Sequence, residues 1–174
     1  KAIVTIAELA QAAGYRTGIV STASVTDATP AAFAAHISFR MCENPDVMPD
    51  VSYKDIHIGD CIDEMKTHGG TGSISEQLAE SALDVLLGGG SKHFAPTAEG
   101  SSDSVRQLAE SNGFQVVTTV AELQAAEIGR RTLGLFSEST MPVRLRGENG
   151  RAAEAPEPSL LNYVHQYLGD VNQP

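Results

Sequence analysis

Strand-like and helix-like segments alternate along most of this chain, and that alternation constrains its fold more than any other feature of the sequence. The strand-like runs are short and apolar, and they are bounded by turn residues. Successive parallel strands need a crossover connection, usually a helix, so this order predicts an α/β protein with a mainly parallel sheet flanked by helices on both faces. Ligands of such sheets bind at the carboxyl ends of the strands. The predicted strands are residues 16–22, 83–87, 114–117 and 132–136, and the predicted helices are residues 3–13, 29–36, 73–81, 103–111, 121–128 and 158–168.

The first strand and the helix after it carry specific local signals. Residues 16–22 are predicted to form a buried strand with polar residues at its carboxyl end. Thr29 offers a hydroxyl as N-cap, and Pro30 fits the first position of a helix. We therefore expect a helix that begins at Thr29 and runs through His36.

Residues 42–72 differ in composition from the rest of the chain. They contain two prolines, four glycines and several acidic side chains, which is typical of a long loop. Order returns at Ser73 and Glu76, whose spacing matches a capping box. We expect an excursion outside the core layers at about 42–72. Because residues 3–13 are already helix-like, with no lead-in and no methionine, we also expect the chain to be an excerpt.

The charge balance and the distribution of apolar residues argue against two classes of partner. The 174 residues carry 12 Lys and Arg against 22 Asp and Glu, a formal net charge of −10, and the pI is about 4.8. A nucleic-acid binder needs clustered basic side chains, and a cluster such as Arg144 with Arg146 supplies only two charges. No run of eighteen apolar residues is present. We therefore expect neither nucleic acid nor a membrane as a partner.

Oxygen-bearing side chains follow the first predicted strand. Ser21 and Thr22 end that strand, and Asp27 and Thr29 stand at the start of the next helix. Carboxylate and hydroxyl oxygens suit Mg²⁺, and the free backbone N–H groups of a helix start suit a phosphate. Alternatively, Asp27 and Thr29 only cap the helix, which is the more common role of such residues. The residues alone leave both interpretations open.

Arg40 is a second candidate for the same site. Its planar guanidinium can bind two oxygens of a phosphate at once, which the point charge of a lysine cannot do. The alternative is an ordinary arginine exposed to solvent. Arg40 by itself does not decide between them.

A glycine run at residues 88–90 follows the second predicted strand. The nucleoside-triphosphate loop needs Gly-x-x-x-x-Gly-Lys followed by Ser or Thr, whereas here Ser91 precedes Lys92. The dinucleotide pattern Gly-x-Gly-x-x-Gly also fails, because Phe94 and Ala95 follow. A nucleotide-binding module centred on this run therefore ranks below a simple glycine turn.

The histidines form no metal-binding pattern. The five of them never fall at spacing i, i+4, so we expect no zinc site built wholly within this chain. Gly-x-Ser-x-Gly does not occur, which excludes the nucleophile elbow of the α/β hydrolases.

Cys42 and Cys61 are the two cysteines of the chain. Their even number, on either side of 18 intervening residues, predicts a disulfide that loop closure would make worth about 3 kcal/mol. The alternative is two free thiols in a cytosolic protein. If the disulfide forms, an oxidising compartment follows.

Seven short blocks of sequence are informative as a set. They are residues 18–22 (GIVST), 26–32 (TDATPAA), 35–42 (AHISFRMC), 72–78 (GSISEQL), 84–90 (DVLLGGG), 133–136 (LGLF) and 141–144 (MPVR). In this order and spacing, they resemble the bacterial alkaline phosphatases. The resemblance covers nearly the whole chain and implies that residues 1–174 are an internal part of a single domain with the alkaline phosphatase fold.

The resemblance also implies a function. Members of this family are metal-dependent phosphomonoesterases that use Zn²⁺ and Mg²⁺ and pass the phosphate through a serine to water. Thr29 looks like the family's hydroxyl ligand to Mg²⁺, Asp27 like the carboxylate that contacts this metal or its water, and Arg40 like the guanidinium that binds two phosphate oxygens. Cys42 and Cys61 resemble the family's disulfide. A homodimer that is periplasmic or secreted is implied as well.

Two parts of the family's pattern are missing from these residues. The family's nucleophile lies in an Asp-Ser-Ala segment, but the only Asp-Ser pair here, Asp103 with Ser104, stands far downstream in a predicted surface helix. The segments that bind zinc in the family do not occur either. We therefore expect the isolated chain to be inactive, although the resemblance implies that it is part of a phosphatase. The alternative is a non-catalytic fragment or relative that binds phosphate or metal, or that only packs.

Overall fold

The computed structural model describes residues 3–142. The predicted helix at 158–168 and the cluster of Arg144 with Arg146 lie outside these residues. Within residues 3–142, no helix has the length and apolar character needed to cross a membrane. The helices are α1 (Ile6–Ala12), α2 (Ala28–Ala31), α3 (Ile74–Glu80), α4 (Val105–Ser111) and α5 (Val120–Ala125), and the strands are β1 (Gly18–Ser24), β2 (Val51–Tyr53), β3 (Ile56–Gly59), β4 (Val85–Gly89), β5 (Gln115–Val117) and β6 (Thr132–Leu135).

Four of the strands form a parallel sheet in the order β1-β4-β6-β5. In the pairing of β1 with β4, Gly18 lies opposite Val85, and Val85 lies opposite Thr132 of β6 on its other side. α4 lies between β4 and β5 in the chain, and α5 lies between β5 and β6, so both are the helical crossovers that parallel pairing requires. The predicted α/β fold with a mainly parallel sheet is confirmed.

Helices cover both faces of this sheet. Successive side chains of a strand point to opposite faces, and Leu86 of β4 packs in one apolar cluster with residues of α3 and α4. Val85 and Leu87 pack in a second cluster with Leu123 of α5. All five residues of β4 are buried, which explains why this strand is a continuous apolar run in the sequence.

β1 differs from the buried strand that the sequence predicts. It lies at one edge of the described sheet, and its residues alternate between exposed and half-buried as far as Ser24, which is buried. Val20 is 41% exposed. The prediction of a buried strand is wrong here, because a short apolar run does not distinguish a strand covered on both faces from one that is only partly covered.

α2 begins two residues earlier than predicted. Its N-cap is Asp27, whose carboxylate accepts the Ala28 N–H at 2.8 Å. Thr29 and Pro30 therefore lie inside the first turn, where the missing N–H of a proline is still tolerated. The predicted cap at Thr29 is wrong, because the stronger acceptor stands two residues before it.

α2 is also shorter than predicted, since it ends at Ala31. The side chain of Gln77 on α3 forms hydrogen bonds with both backbone groups of His36. Its Oε1 accepts the His36 N–H at 2.8 Å, and its Nε2 donates to the His36 carbonyl at 3.0 Å. The predicted extension through His36 is wrong, because a side chain from another helix replaces the helical partners of that residue.

Residues 42–72 form a small structured region outside the parallel sheet. β2 and β3 pair antiparallel, and their tight turn consists of Lys54 and Asp55 at φ 49° and 62°, as a type I′ hairpin requires. The region has its own buried apolar cluster of Cys42, Met48, Val51 and Cys61. Single 3₁₀ turns complete it at Pro45–Val47, Ile62–Glu64 and Lys66–His68.

Capping boxes begin α1, α3, α4 and α5. The N-cap residues are Thr5, Ser73, Ser104 and Thr119, and in each case a Glu or Gln three positions on returns the bond. The predicted box of Ser73 and Glu76 is confirmed. Ser104, the serine of the Asp-Ser pair, caps α4.

The glycine run at the end of β4 allows three segments to approach closely. A Cβ on Gly88 would lie 2.9 Å from the carbonyl oxygen of Ala23, and one on Gly89 would lie 1.9 Å from that of Ser139. Gly90 has φ +98°, which favours glycine. The run is a close-packed turn that joins β4 to a 3₁₀ turn at Ser91–His93, in agreement with the glycine turn predicted from the sequence.

Candidate functional site

Asp27 and Arg40 form an ion pair beyond the carboxyl end of β1. Nη2 of Arg40 contacts Oδ1 of Asp27, and the same Oδ1 accepts the N–H of Ala28. The carboxylate of Asp27 therefore both caps α2 and pairs with the guanidinium of Arg40. The side chains of Arg40 and Asp27 are 59% and 37% exposed. The structure thus brings together two of the residues that the sequence marks as candidates.

The other hydroxyl-bearing candidates are placed differently. Thr29 lies exposed in the first turn of α2, and its hydroxyl has no hydrogen bond to any residue in the part of the chain from 3 to 142. Ser21 and Thr22 lie inside β1 and not beyond its end. The Ser21 hydroxyl accepts the Ala23 N–H at 3.0 Å. Thr29 therefore keeps a hydroxyl available for a ligand, whereas that of Ser21 is used within the strand.

Arg40 borders an open cleft. The cleft has a volume of about 410 Å³, and Ala28, Ala32, His36 and Ser38 also line it. Among residues 3–142, the hydrogen-bond partner of the guanidinium is Asp27. A guanidinium has five N–H donors, so most of this fork remains available to an anion that enters the cleft.

The backbone is anchored at Cys42, two residues after Arg40. Cys42 is bonded to Cys61 in a disulfide. The Cys42 N–H donates to the Phe39 carbonyl at 3.1 Å, and the Cys42 carbonyl accepts the Ile74 N–H of α3 at 3.1 Å. These bonds tie the backbone just after Arg40 to α3 and to the region 42–72, while the side chain of Arg40 pairs with Asp27.

Reduction of the disulfide is expected to lower the free energy of unfolding by about 3 kcal/mol, because it releases a closed loop of this length in the unfolded chain. Urea unfolding with and without a thiol reductant measures the effect. A variant with both Cys42→Ala and Cys61→Ala serves as control, since reductant should not change its stability further. Alkylation of two free thiols in the unreduced protein would contradict the prediction.

The donor set at Asp27 suits Mg²⁺ in kind but not in number. Mg²⁺ takes oxygen ligands in octahedral geometry and usually keeps several waters, and Asp27 and Thr29 offer a carboxylate and a hydroxyl. Over residues 3–142, no group of three or more His, Cys, Asp or Glu side chains is placed to hold a metal ion. Asp27 and Thr29 could therefore supply two ligands of a magnesium site, and the remaining ligands would have to come from water or from other segments.

A buried polar network beside the site is missed by sequence reasoning. Its members come from three segments far apart in the chain, so no spacing marks them. The pair Glu43 and Asn44, polar residues directly after a buried cysteine, is the only local signal. The network consists of Ser24, Thr26, Glu43, Asn44 and His93, and we call it the Glu43 network.

The fold and the site together define an α/β protein with an arginine and a carboxylate at the carboxyl end of a parallel strand, where such sheets bind ligands. The family model described as alkaline phosphatase matches residues 1–173. The chain is 43% identical over 146 residues to streptomycin-6-phosphate phosphatase of Streptomyces griseus, and 42% identical over 149 residues to alkaline phosphatase of Escherichia coli. Both alignments cover 82% of this chain.

A solved structure is similar over a still longer part of the chain. It is a variant of alkaline phosphatase from the Antarctic bacterium TAB5 with Mg bound, and it matches with a TM-score of 0.60 at 25% identity, covering 99% of this chain and 40% of that one. The chain belongs to the alkaline phosphatase family. It spans about 30% of the length of the two curated relatives.

Proposed function

We propose that this chain forms the phosphate-binding part of a metal-dependent alkaline phosphatase that hydrolyses phosphomonoesters. The observation that carries the proposal is the pair of Arg40 with Asp27, which stands at the carboxyl end of β1 beside an open cleft. Membership of the family supports the activity. The relative from Streptomyces griseus is also named for a phosphate monoester, streptomycin 6-phosphate.

Arg40 binds the phosphate in this proposal. Its fork donates two parallel hydrogen bonds to two phosphate oxygens, a geometry that lysine cannot reproduce. The exposed ion pair with Asp27 contributes at most about 1 kcal/mol, so a doubly charged phosphate can replace that partner at little cost. Bonds that strengthen as negative charge builds on the transferring phosphoryl group lower the barrier to the reaction.

Asp27 and Thr29 would hold Mg²⁺ beside this phosphate. The solved TAB5 variant with bound Mg supports a metal in the family. A bound metal ion stabilises developing charge and activates a nucleophile in this kind of chemistry. In the absence of phosphate, the carboxylate of Asp27 pairs with the guanidinium of Arg40, so the two proposed binding groups already lie side by side. In the proposal, the serine that forms the phosphoserine intermediate and the zinc ligands come from segments outside these 174 residues.

Three further properties belong to the same proposal. Residues 1–174 are an internal part of a single domain with an excursion at 42–72, the enzyme is a homodimer, and it is periplasmic or secreted. The disulfide of Cys42 with Cys61 supports export, because the cytosol keeps most thiols reduced. Sedimentation of the enzyme and fractionation of the producing cells test the last two properties.

Activity is expected only when the flanking segments are present. We call the chain joined to them the full-length enzyme. The pure 174-residue chain should hydrolyse no chromogenic phosphate ester above background, whereas the full-length enzyme should hydrolyse it in a metal-dependent reaction that a chelator abolishes. Chelator-sensitive turnover by the isolated chain would show that the site is misplaced. A full-length protein that binds phosphate but never turns over would favour a non-catalytic relative.

The magnesium role of Thr29 has a matched control on the neighbouring strand. Thr29→Val in the full-length enzyme removes one proposed oxygen ligand. We expect it to weaken Mg²⁺ binding about tenfold, the lower end of the losses in affinity caused by removing groups around a metal ion. Titration of Mg²⁺ by calorimetry measures the change. Thr22→Val makes the same chemical change on exposed β1 and should leave Mg²⁺ affinity unchanged. Equal affinities in the two variants would remove Thr29 from the metal site.

A further inference from the structure

The Glu43 network lies between the two segments that carry the proposed site. Thr26 immediately precedes Asp27, and Glu43 follows Arg40 by three residues. Four of its members are buried: Ser24, Thr26, Asn44 and His93 are 6%, 0%, 7% and 7% exposed. Buried polar side chains are costly unless all of them are hydrogen-bonded, so the bonds of this network strongly limit where its members can lie.

The bonding pattern assigns the ring protons of His93. Oδ1 of Asn44 accepts the Asp46 N–H at 3.0 Å, which orients the amide group. Nδ2 of Asn44 then faces Nδ1 of His93 at 3.0 Å and must donate to it. The histidine therefore carries its proton on Nε2, which lies 3.1 Å from Oε2 of Glu43 and donates to that carboxylate.

The remaining donors converge on the same carboxylate oxygen. The Thr26 hydroxyl donates to Oε2 of Glu43, because an ionised carboxylate only accepts. Having donated its proton, Oγ1 of Thr26 accepts from the Ser24 hydroxyl at 2.7 Å. Each of these hydrogen bonds thus has one consistent direction, and two donors from different segments, Thr26 and His93, meet at Glu43.

The ionisation of His93 agrees with this assignment. Burial lowers the pKa of His93, a contribution that exceeds the raising effect of Glu43, and Lys92 lowers it further. A neutral imidazole can accept from Asn44 at Nδ1, whereas a protonated one would present a second donor to that amide. The neutral form therefore matches both its surroundings and its partners.

Backbone bonds tie the network to the centre of the fold. Val25 N–H, between Ser24 and Thr26, donates to the Gly89 carbonyl at the end of β4 at 3.0 Å, and the Glu43 carbonyl accepts the Ser75 N–H of α3 at 3.0 Å. His93 belongs to the 3₁₀ turn that follows β4. Glu43 is therefore the point at which the Asp27 segment, the Arg40 segment and the end of β4 are joined by side chains.

We propose that Glu43 and His93 are positioning residues that hold Asp27 and Arg40 at the separation needed to bind phosphate and metal together. This inference rests on the proposed function of those two residues. Neither Glu43 nor His93 needs to touch the substrate, since each acts through the backbone of a neighbouring segment. If these residues only stabilised the fold, their loss would lower the folded fraction, and the protein that stays folded would bind phosphate with unchanged affinity.

Three variants of the full-length enzyme separate these roles. Glu43→Ala removes the shared acceptor and leaves the Thr26 hydroxyl and the His93 N–H without a partner. Glu43→Gln keeps an oxygen that can accept both donors, and its new amide nitrogen can reach solvent because the Glu43 side chain is 21% exposed. Gln115→Ala is the control, since it removes side-chain bonds to Glu127 and Thr132 at the far edge of the sheet.

The probes are inorganic phosphate and amide hydrogen exchange. We expect Glu43→Ala to weaken phosphate binding about tenfold and to speed exchange selectively at residues 25–28 and 40–43, with Glu43→Gln close to the parent protein in both. Gln115→Ala should be destabilised to heat without either change. Phosphate affinity that stays at the parent value in Glu43→Ala, or that falls equally in Gln115→Ala, would overturn the proposal.

The two proposals fail in different ways. If the parent protein binds no phosphate, the proposed function fails, and the exchange data alone then decide whether Glu43 joins the two segments. In that case, exchange that is selective for 25–28 and 40–43 and restored by Glu43→Gln keeps the positioning role. Uniform exchange across the chain, or no rescue by Glu43→Gln, rejects it.

Discussion

Arg40→Ala is expected to weaken inhibition of the full-length enzyme by inorganic phosphate at least about a hundredfold. The substitution removes two charge-assisted hydrogen bonds, each worth about 1.5–3 kcal/mol, and about 1.4 kcal/mol corresponds to a factor of ten in affinity. The guanidinium is 59% exposed and has Asp27 as its ion-pair partner, so its loss should disturb the fold little. The measurement is the inhibition constant of phosphate, together with kcat/KM for a phosphate ester.

Two further arginine variants make this result specific. Arg40→Lys should recover little of the loss, because a single ammonium does not replace a bidentate fork. Arg106→Ala removes an arginine of similar exposure from α4, where it pairs with Glu110, and should leave phosphate affinity unchanged. An Arg40→Ala enzyme that phosphate inhibits as strongly as the parent would remove Arg40 from the site.

Gly89→Ala is expected to destabilise the protein by about 3 kcal/mol or more, at the upper end of the effects of overpacking. The added methyl would lie 1.9 Å from the Ser139 carbonyl oxygen and 2.4 Å from the Ser137 hydroxyl. Those residues are not free to withdraw, because the Ser137 and Ser139 carbonyls both accept the N–H of Gly90. Either the loop after β6 or the end of β4 must move. Thermal unfolding of the parent and the variant measures the loss.

Gly113→Ala distinguishes crowding from the ordinary cost of replacing glycine. Gly113 has φ +93° and open space around the position of a Cβ, so the substitution there costs only the backbone preference, about 1–2 kcal/mol. Gly89→Ala should cost clearly more. Equal losses in the two variants would mean that the end of β4 relaxes easily and that the close approach there is unimportant.

The elements around β4 could be predicted from the sequence because their signals are local. A strand buried on both faces needs an uninterrupted apolar run. Residues 85–87, the end of the predicted strand 83–87, supply one and begin the observed Val85–Gly89. The capping box of Ser73 and Glu76 lies within four consecutive residues and begins α3 as expected. Both signals lie within a few consecutive residues, and the structure keeps both of them.

Apart from the cap at Thr29, which Asp27 provides two residues earlier, the errors arise where distant residues decide local structure. The side chain of Gln77 hydrogen-bonds both backbone groups of His36 and keeps this residue out of a helix, and no pattern near residue 36 shows this. The edge position of β1 depends on the order of strands in the sheet. The contact of Glu43 with His93 likewise joins residues fifty positions apart in the printed sequence.

Part of the candidate site is predictable because its residues stand in short characteristic blocks. Asp27, Thr29 and Arg40 belong to blocks that resemble the alkaline phosphatases, so the sequence alone marks them as candidates. Their mutual arrangement is not predictable, because the pairing of Arg40 with Asp27 depends on how the chain leaves α2. Their assignment to phosphate and metal stays a prediction until the variants above are measured.

The hairpin of β2 and β3 offers a place to attach a reporter. Its two turn residues, Lys54 and Asp55, are exposed and already adopt left-handed backbone conformations, and the disulfide of Cys42 with Cys61 closes the chain behind them. A fluorophore or an affinity handle inserted at this tip would add length only to a surface loop, which proteins generally tolerate well. The region could therefore be labelled, or exchanged between relatives as a cassette, while β4 and the ends of its neighbours stay as they are.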